Sequence, residues 1–105
     1  MNATPTGLRL LLVEDEMMVA MMVEDLLSDL GYMVVEVAGT LARGLAAAAN
    51  PDLALDGAIL DVNLGGDKVY PVAEALAARG TPLHLRHRLW DRRHRAELRP
   101  HPGAR

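Results

Sequence analysis

The chain of 105 residues has no cysteine, no phenylalanine, one Trp and two Tyr. Without cysteine there is no disulfide framework and no thiolate metal site. No apolar run approaches the about 20 residues that span a bilayer. Residues 1–7 lack the basic-then-apolar pattern of a secretory signal. A cytoplasmic protein with no membrane partner is expected. The length allows one domain.

Charge is unevenly spread. Residues 1–82 carry four basic residues (Arg9, Arg43, Lys68, Arg79) against twelve acidic ones, a net −8. Residues 83–105 carry seven Arg against Asp91 and Glu97, a net +5. All four His and the one Trp fall in this second stretch, whereas all six Met precede residue 34. Two regions are therefore expected, 8–82 and an atypical Arg/His-rich tail, 83–105.

Within the first region, Leu8-Arg9-Leu10-Leu11-Leu12-Val13 is a nearly continuous apolar run. It suits a strand buried on both faces of a parallel sheet. Residues 17–30 have helical spacing, with Ala20, Val23, Leu27 and Leu30 on one face. The Met-rich composition of this helix predicts a core contribution, and Gly31 suits its C-terminal end. Residues 32–37, rich in Val, predict a second strand. Thr40 can cap a helix ending before Asn50-Pro51, and Gly44 weakens it. Ala58-Ile59-Leu60 predicts a third strand ending at Asp61, and residues 62–68 a loop around Gly65-Gly66. Residues 69–79 predict a third helix, with Pro71 in its first turn. The order β-α-β-α-β-α implies an α/β fold: a doubly wound parallel sheet with right-handed crossovers.

Ligands of such sheets bind at the carboxyl ends of the strands, near the point where strand order reverses. Glu14 and Asp15 end the first strand and Asp61 ends the third. In a 2-1-3 order the three carboxylates converge. Two like charges about 4 Å apart repel by roughly 4 kcal/mol at an effective dielectric near 20. A divalent cation relieves that repulsion, and carboxylates with a backbone carbonyl and waters suit Mg²⁺. A carboxylate beside such a metal can act as a nucleophile toward phosphorus.

Leu11-Leu12-Val13-Glu14-Asp15-Glu16 and Ala58-Ile59-Leu60-Asp61-Val62-Asn63-Leu64 resemble the receiver domains of bacterial two-component response regulators. The resemblance covers about residues 8–82. It implies a flavodoxin-like receiver fold, stand-alone and without an output domain. It also implies that Asp61 accepts a phosphoryl group. Asp15 and Asp61 would ligate Mg²⁺ directly, together with the backbone carbonyl of Asn63, and Glu14 would act through a metal-bound water. The donor would be a sensor histidine kinase or a phosphotransfer protein, and the domain would be a phosphoacceptor, not an enzyme. Receivers also carry a Thr or Ser ending the fourth strand and a Lys ending the fifth. Neither has a counterpart here: Thr81 precedes the fourth strand, and no Lys follows Lys68. The fold is thus expected to be incomplete or irregular at its C-terminus.

Plainer readings stand beside these. Glu14-Asp15-Glu16 can cap the first helix and oppose its dipole, and Asp61 with Asn63 can begin a turn. Gly65-Gly66 reads as a turn and not a phosphate cradle, and Lys68 as a solvated side chain. A haloacid-dehalogenase-like phosphohydrolase is an alternative function, although that family has a second Asp two residues beyond its nucleophile, where Asn63 stands. A non-signalling receiver fragment serving as an interaction module is another.

The tail could be a nucleic-acid arm, but it carries no recognisable DNA-binding motif, and no nucleic-acid partner is expected. His84 and His87 are spaced for a metal, without further ligands. Residues 83–89 alternate and could add one poor strand, with Arg and His turned to a side that should be buried. The third strand would otherwise present an open edge that invites self-association. Residues 91–105 are expected to be disordered or loosely helical.

Translation out of frame after Pro82 accounts for the tail's composition. Allowed codons for residues 83–90, read one nucleotide later and completed by the first base of the Asp91 codon, encode Phe-Ile-Phe-Ala-Thr-Gly-Tyr-Gly, an apolar strand ending as a receiver's fourth strand ends. The encoding DNA is expected to show this strand in the alternative frame and, further on, a Lys ending another apolar strand. The restored protein should melt above the 105-residue chain; an equal or lower Tm contradicts the shift.

Overall fold

The computed structural model describes residues 7–87. The elements run β1 (Leu8–Val13), α1 (Met17–Asp29), β2 (Tyr32–Ala38), α2 (Leu41–Ala49), β3 (Gly57–Asp61), β4 (Asn63–Leu64), β5 (Asp67–Lys68), α3 (Tyr70–Ala78) and β6 (Leu83–Arg86). The main sheet has the order β2-β1-β3-β6 with every pairing parallel. The chain thus leaves β1 toward one edge and then crosses to the other. The strand-order reversal lies beside β1, as the 2-1-3 expectation requires.

Side-chain alternation divides the sheet into two faces. Leu11 and Val13 of β1 and Ala58 and Leu60 of β3 join Ala47 and Ala48 of α2 and Val72 and Leu76 of α3 in one buried cluster. Leu83 and Leu85 of β6 pack against it. Leu83 and Leu85 are only partly buried, but the apolar area they remove from water favours pairing of residues 83–86, the first of the basic tail, with the sheet. The other face carries buried Leu10 and Leu12 and is met by α1 through Ala20 and Leu27.

Helix α1 departs from the expectation that its methionines are core. Met18 is 78% and Met22 67% exposed, and Met17, Met21 and Leu26 are exposed too. The sheet takes only the narrow stripe through Ala20 and Leu27, and Met18, Met22 and Leu26, spaced by four, lie on the opposite side. Leu30, expected on the buried face, is also exposed, because the helix ends at Asp29 and Gly31 takes φ 95°. A shallow groove of about 450 Å³ separates α1 from β3 and β6, lined by Leu10, Leu27, Ile59 and His84 among others.

Residues 62–68 form a hairpin where a loop was expected. Asn63 pairs with Lys68 and Leu64 with Asp67. Gly65 (φ 58°) and Gly66 (φ 106°) supply the two positive-φ positions of a tight two-residue turn. The Val69 N–H donates to the Val62 carbonyl at 3.0 Å and closes the base of the hairpin.

The loops that set strand and helix positions are tied by side chains. Thr40 caps α2 by accepting from the Arg43 N–H at 3.1 Å. The Arg79 guanidinium, just past α3, donates to the carbonyls of Ala48, Asn50 and Leu53 at 2.9, 3.2 and 2.7 Å. It satisfies carbonyls at the α2 C-terminus that have no helical partner. The Asp56 carboxylate accepts from the Arg9 N–H at 2.7 Å and aligns the entry to β3 with β1.

Gly44 marks the closest approach of α2 to its neighbours. A Cβ there would stand 3.1 Å from a Val72 methyl and 3.5 Å from a Val13 methyl. The helix accepts the glycine's cost of about 1 kcal/mol in exchange for this packing. Gly44→Leu is expected to destabilise the protein by about 1–3 kcal/mol through overpacking, lowering Tm by at least about 4 °C. Thermal denaturation followed by circular dichroism checks this; an unchanged or raised Tm contradicts the close packing.

Candidate functional site

The carboxyl ends of β1, β3 and β6 meet at one edge of the sheet. Glu14 directly follows β1, and its N–H donates to the Ala38 carbonyl at the end of β2 at 3.0 Å. Asp61 is the last residue of β3 and stands opposite Arg86, the last of β6, in the parallel register. The Val62 N–H donates to the Arg86 carbonyl at 3.1 Å. The hydrophobic interior of the sheet thus delivers charged residues to its rim.

Three sequence-predicted residues are brought together here. Glu14, Asp15 and Asp61 each offer a carboxylate oxygen, and these atoms lie within 4.8 Å of one another. Glu14 and Asp61 are fully buried, and Asp15 is half-buried. Hard oxygen donors gathered in this way could hold a metal ion. Gly65 lies beside the group: a Cβ on it would stand 3.6 Å from Asp15 Oδ2. The hairpin turn therefore forms part of the wall on the Asp15 side.

The fourth predicted residue, Asn63, is buried in β4. Its N–H donates to Asp61 Oδ1 at 3.2 Å. This is the turn-initiating bond that the plainer reading of Asp61 expected, and it orients the same carboxylate that faces Glu14 and Asp15. Lys68 is exposed, but it is not merely solvated: its ammonium donates to Asn63 Oδ1 at 2.5 Å across the hairpin. Thr81 is buried before β6, and its N–H donates to the Leu76 carbonyl at 2.9 Å.

The expected cap does not form: Glu16, the N-cap residue of α1, makes no side-chain cap hydrogen bond. Glu14 Oε2 accepts from the N–H of Glu16, the N-cap residue of α1, at 3.0 Å. No acidic residue lies in the first turn of α1 itself.

Arg86 is the residue that sequence reasoning missed. Its guanidinium donates to Glu14 Oε1 at 2.7 Å; its side chain is 29% exposed and that of Glu14 is 0%. The expected poor strand does form, but Arg86 does not meet the inner side of the sheet as an unpaired charge. The signal was available in the alternation. With Leu83 and Leu85 turned to one face, Arg86 falls on the other, at the strand end level with Asp61.

Solved structures similar to the chain include response regulators. SdrG from Sphingomonas melonis Fr1 is 46% identical, over 81% of this chain and 69% of SdrG, with a TM-score of 0.66. The response regulator PhyR from Brucella abortus is 27% identical over 76% of this chain, with a TM-score of 0.66. The chain spans 33% of that PhyR. The PhyR receiver domain from Erythrobacter litoralis, 23% identical with a TM-score of 0.69, matches in fold over 94% of the chain. No protein-family model matches the sequence, and no curated protein does.

The flavodoxin-like sheet with an acidic group at its carboxyl rim defines a receiver-type α/β domain. The chain belongs to the response regulator receiver family, to which SdrG ties it by sequence as well as fold.

Crowding three carboxylates at this rim carries an electrostatic cost, which the Arg86–Glu14 ion pair reduces. Asp61→Asn retains an oxygen to accept from the Asn63 N–H and removes one negative charge. In metal-free buffer it is expected to stabilise the protein by about 1 kcal/mol, a rise in Tm of about 4–8 °C. An unchanged or lower Tm contradicts the repulsion.

Proposed function

We propose that the protein is a phospho-accepting receiver of a two-component phosphorelay, with Asp61 as the acceptor and Mg²⁺ as the cofactor. The observation that carries the reading is the convergence of Glu14, Asp15 and Asp61 at the rim of a receiver fold. The 46% identity to SdrG supports it, as does a solution structure of SdrG, 44% identical to this chain, described as the BeF3-activated conformation.

In this reading Asp15, Asp61 and the backbone carbonyl of Asn63 would hold the metal directly, and Glu14 would act through a metal-bound water. The metal, when bound, supplies charge neutralisation for the incoming phosphoryl group. The Asn63 N–H fixes the orientation of the Asp61 carboxylate. A carboxylate oxygen of Asp61 forms the new O–P bond as the N–P bond of a donor phosphohistidine breaks. The bonding electron pair stays on the imidazole nitrogen, which then takes up a proton. The donor is a sensor histidine kinase or a phosphotransfer protein in the cytoplasm, and the protein acts as a signalling domain without sustained turnover.

Among the described residues, no helix is long and apolar enough to cross a membrane. The outer edge of β6, with Arg86 and His84 on its strand, is the surface through which copies could associate.

The test is incubation with acetyl phosphate and Mg²⁺, followed by borohydride trapping and mass mapping. One adduct on Asp61 is expected. Asp61→Ala should lose it, and Asp15→Asn should need at least about tenfold more Mg²⁺ to reach the same extent. Labelling of Asp61→Ala at unchanged extent contradicts the assignment. Steady hydrolysis of a small phosphate ester would instead point to the haloacid-dehalogenase-like reading.

A further inference from the structure

The ion pair between Arg86 and Glu14 places a positive side chain beside the acidic group. Glu14 is fully buried, and both of its oxygens accept bonds: Oε1 from the Arg86 guanidinium at 2.7 Å and Oε2 from the Glu16 N–H at 3.0 Å. One carboxylate oxygen from each of Glu14, Asp15 and Asp61 lies within 4.8 Å of the other two. A divalent cation among them would sit close to a guanidinium of the same sign. Like charges at that separation in a partly buried site repel strongly.

We infer that Arg86 is a tethered counter-cation of the acidic pocket: it neutralises Glu14 in the metal-free protein, and a divalent cation binds only by displacing it. This rests on the reading of Glu14, Asp15 and Asp61 as a metal site, and adds a competitor supplied by the chain itself. The consequence reaches the sheet. Arg86 ends β6, stands in register with Asp61, and its carbonyl accepts from the Val62 N–H. Displacing its side chain removes one of the attachments of β6 to the β1 end of the sheet. Cation binding and the docking of the β6 end therefore oppose each other, and the coupling is reciprocal.

The inference assigns Arg86 a role separate from that of the acidic residues. It does not need the guanidinium to touch a phosphoryl group. It requires only that the positive charge be lost for the pocket to admit a second cation more easily. A Lys at the same position, keeping the charge, should preserve the competition, whereas a neutral side chain should remove it.

The experiment is a Mg²⁺ titration of the full chain by calorimetry, with parallel amide NMR spectra. Compared with the parent, Arg86→Gln is expected to bind Mg²⁺ about tenfold more tightly, within the usual range for coupled sites. Arg86→Lys should stay within about threefold of the parent, because the competing charge is retained. In the parent, Mg²⁺ should shift the amides of Leu85, Arg86 and His87 together with those of Asp15 and Asp61. In Arg86→Gln the β6 shifts should shrink while the pocket shifts remain. These spectra also report whether each variant is folded. Equal or weaker binding by a folded Arg86→Gln overturns the inference and leaves the metal-site reading standing. Absence of Mg²⁺ binding in the parent and in Arg86→Gln overturns both.

Discussion

The mutual repulsion of Glu14, Asp15 and Asp61 is the constraint around which the rest of the structure is arranged. Carboxylate oxygens within 4.8 Å of one another do not gather unless something stronger holds their backbones. Here the holding force is the parallel sheet. Leu11, Leu12, Val13 and Leu60 are fully buried, and their burial positions the strand ends with little freedom. The charged residues follow directly after apolar runs, so the free energy that forms the strands also places the acids. Asn63 and Glu16 then orient two of the carboxylates through their backbone N–H groups.

The two faces of the sheet answer this constraint differently. On the α2–α3 face, packing is close: Gly44 admits Val72, and Arg79 ties the end of α3 to the end of α2. That face is a continuous core from Leu11 to Leu76. On the other face, among the described residues, α1 covers β1 and leaves a groove toward β3 and β6. The exposed Met18 and Met22 lie on the side of α1 turned away from the sheet. The strand that lies beside this groove is β6, and it is also the strand that carries Arg86 to the acids.

Much of the fold was legible because its signals are local. The apolar run of β1, the valines of β2, Thr40 at the start of α2 and Gly31 after α1 act through backbone geometry and short-range bonds that neighbouring residues decide. The acids at two strand ends were legible for the same reason, since strand alternation and the crossover rule bring those ends together. The methionines of α1 were misread because helical periodicity shows which residues share a face, not how wide a face its neighbours bury. Residues 62–68 were misread because Gly65-Gly66 signals a turn without saying that Asn63 and Lys68 will pair across it. The expectation for residues 91–105 lies outside the described residues.

By itself, then, the sequence determined the alternation of strands and helices, the resemblance to receivers and the three carboxylates at the rim. Each depends on periodicity or on residues close along the chain. The tertiary structure alone decided that Arg86 pairs with Glu14. Arg86 and Glu14 are 72 residues apart, and nothing local to either names the other. Their meeting requires β6 to pair with β3 in the register that sets Arg86 opposite Asp61. Burial of Leu83 and Leu85 against the α2–α3 core selects the face that Arg86 occupies. A one-residue slip in that pairing would turn Arg86 to the other face, and the acidic pocket would lose its internal counter-charge.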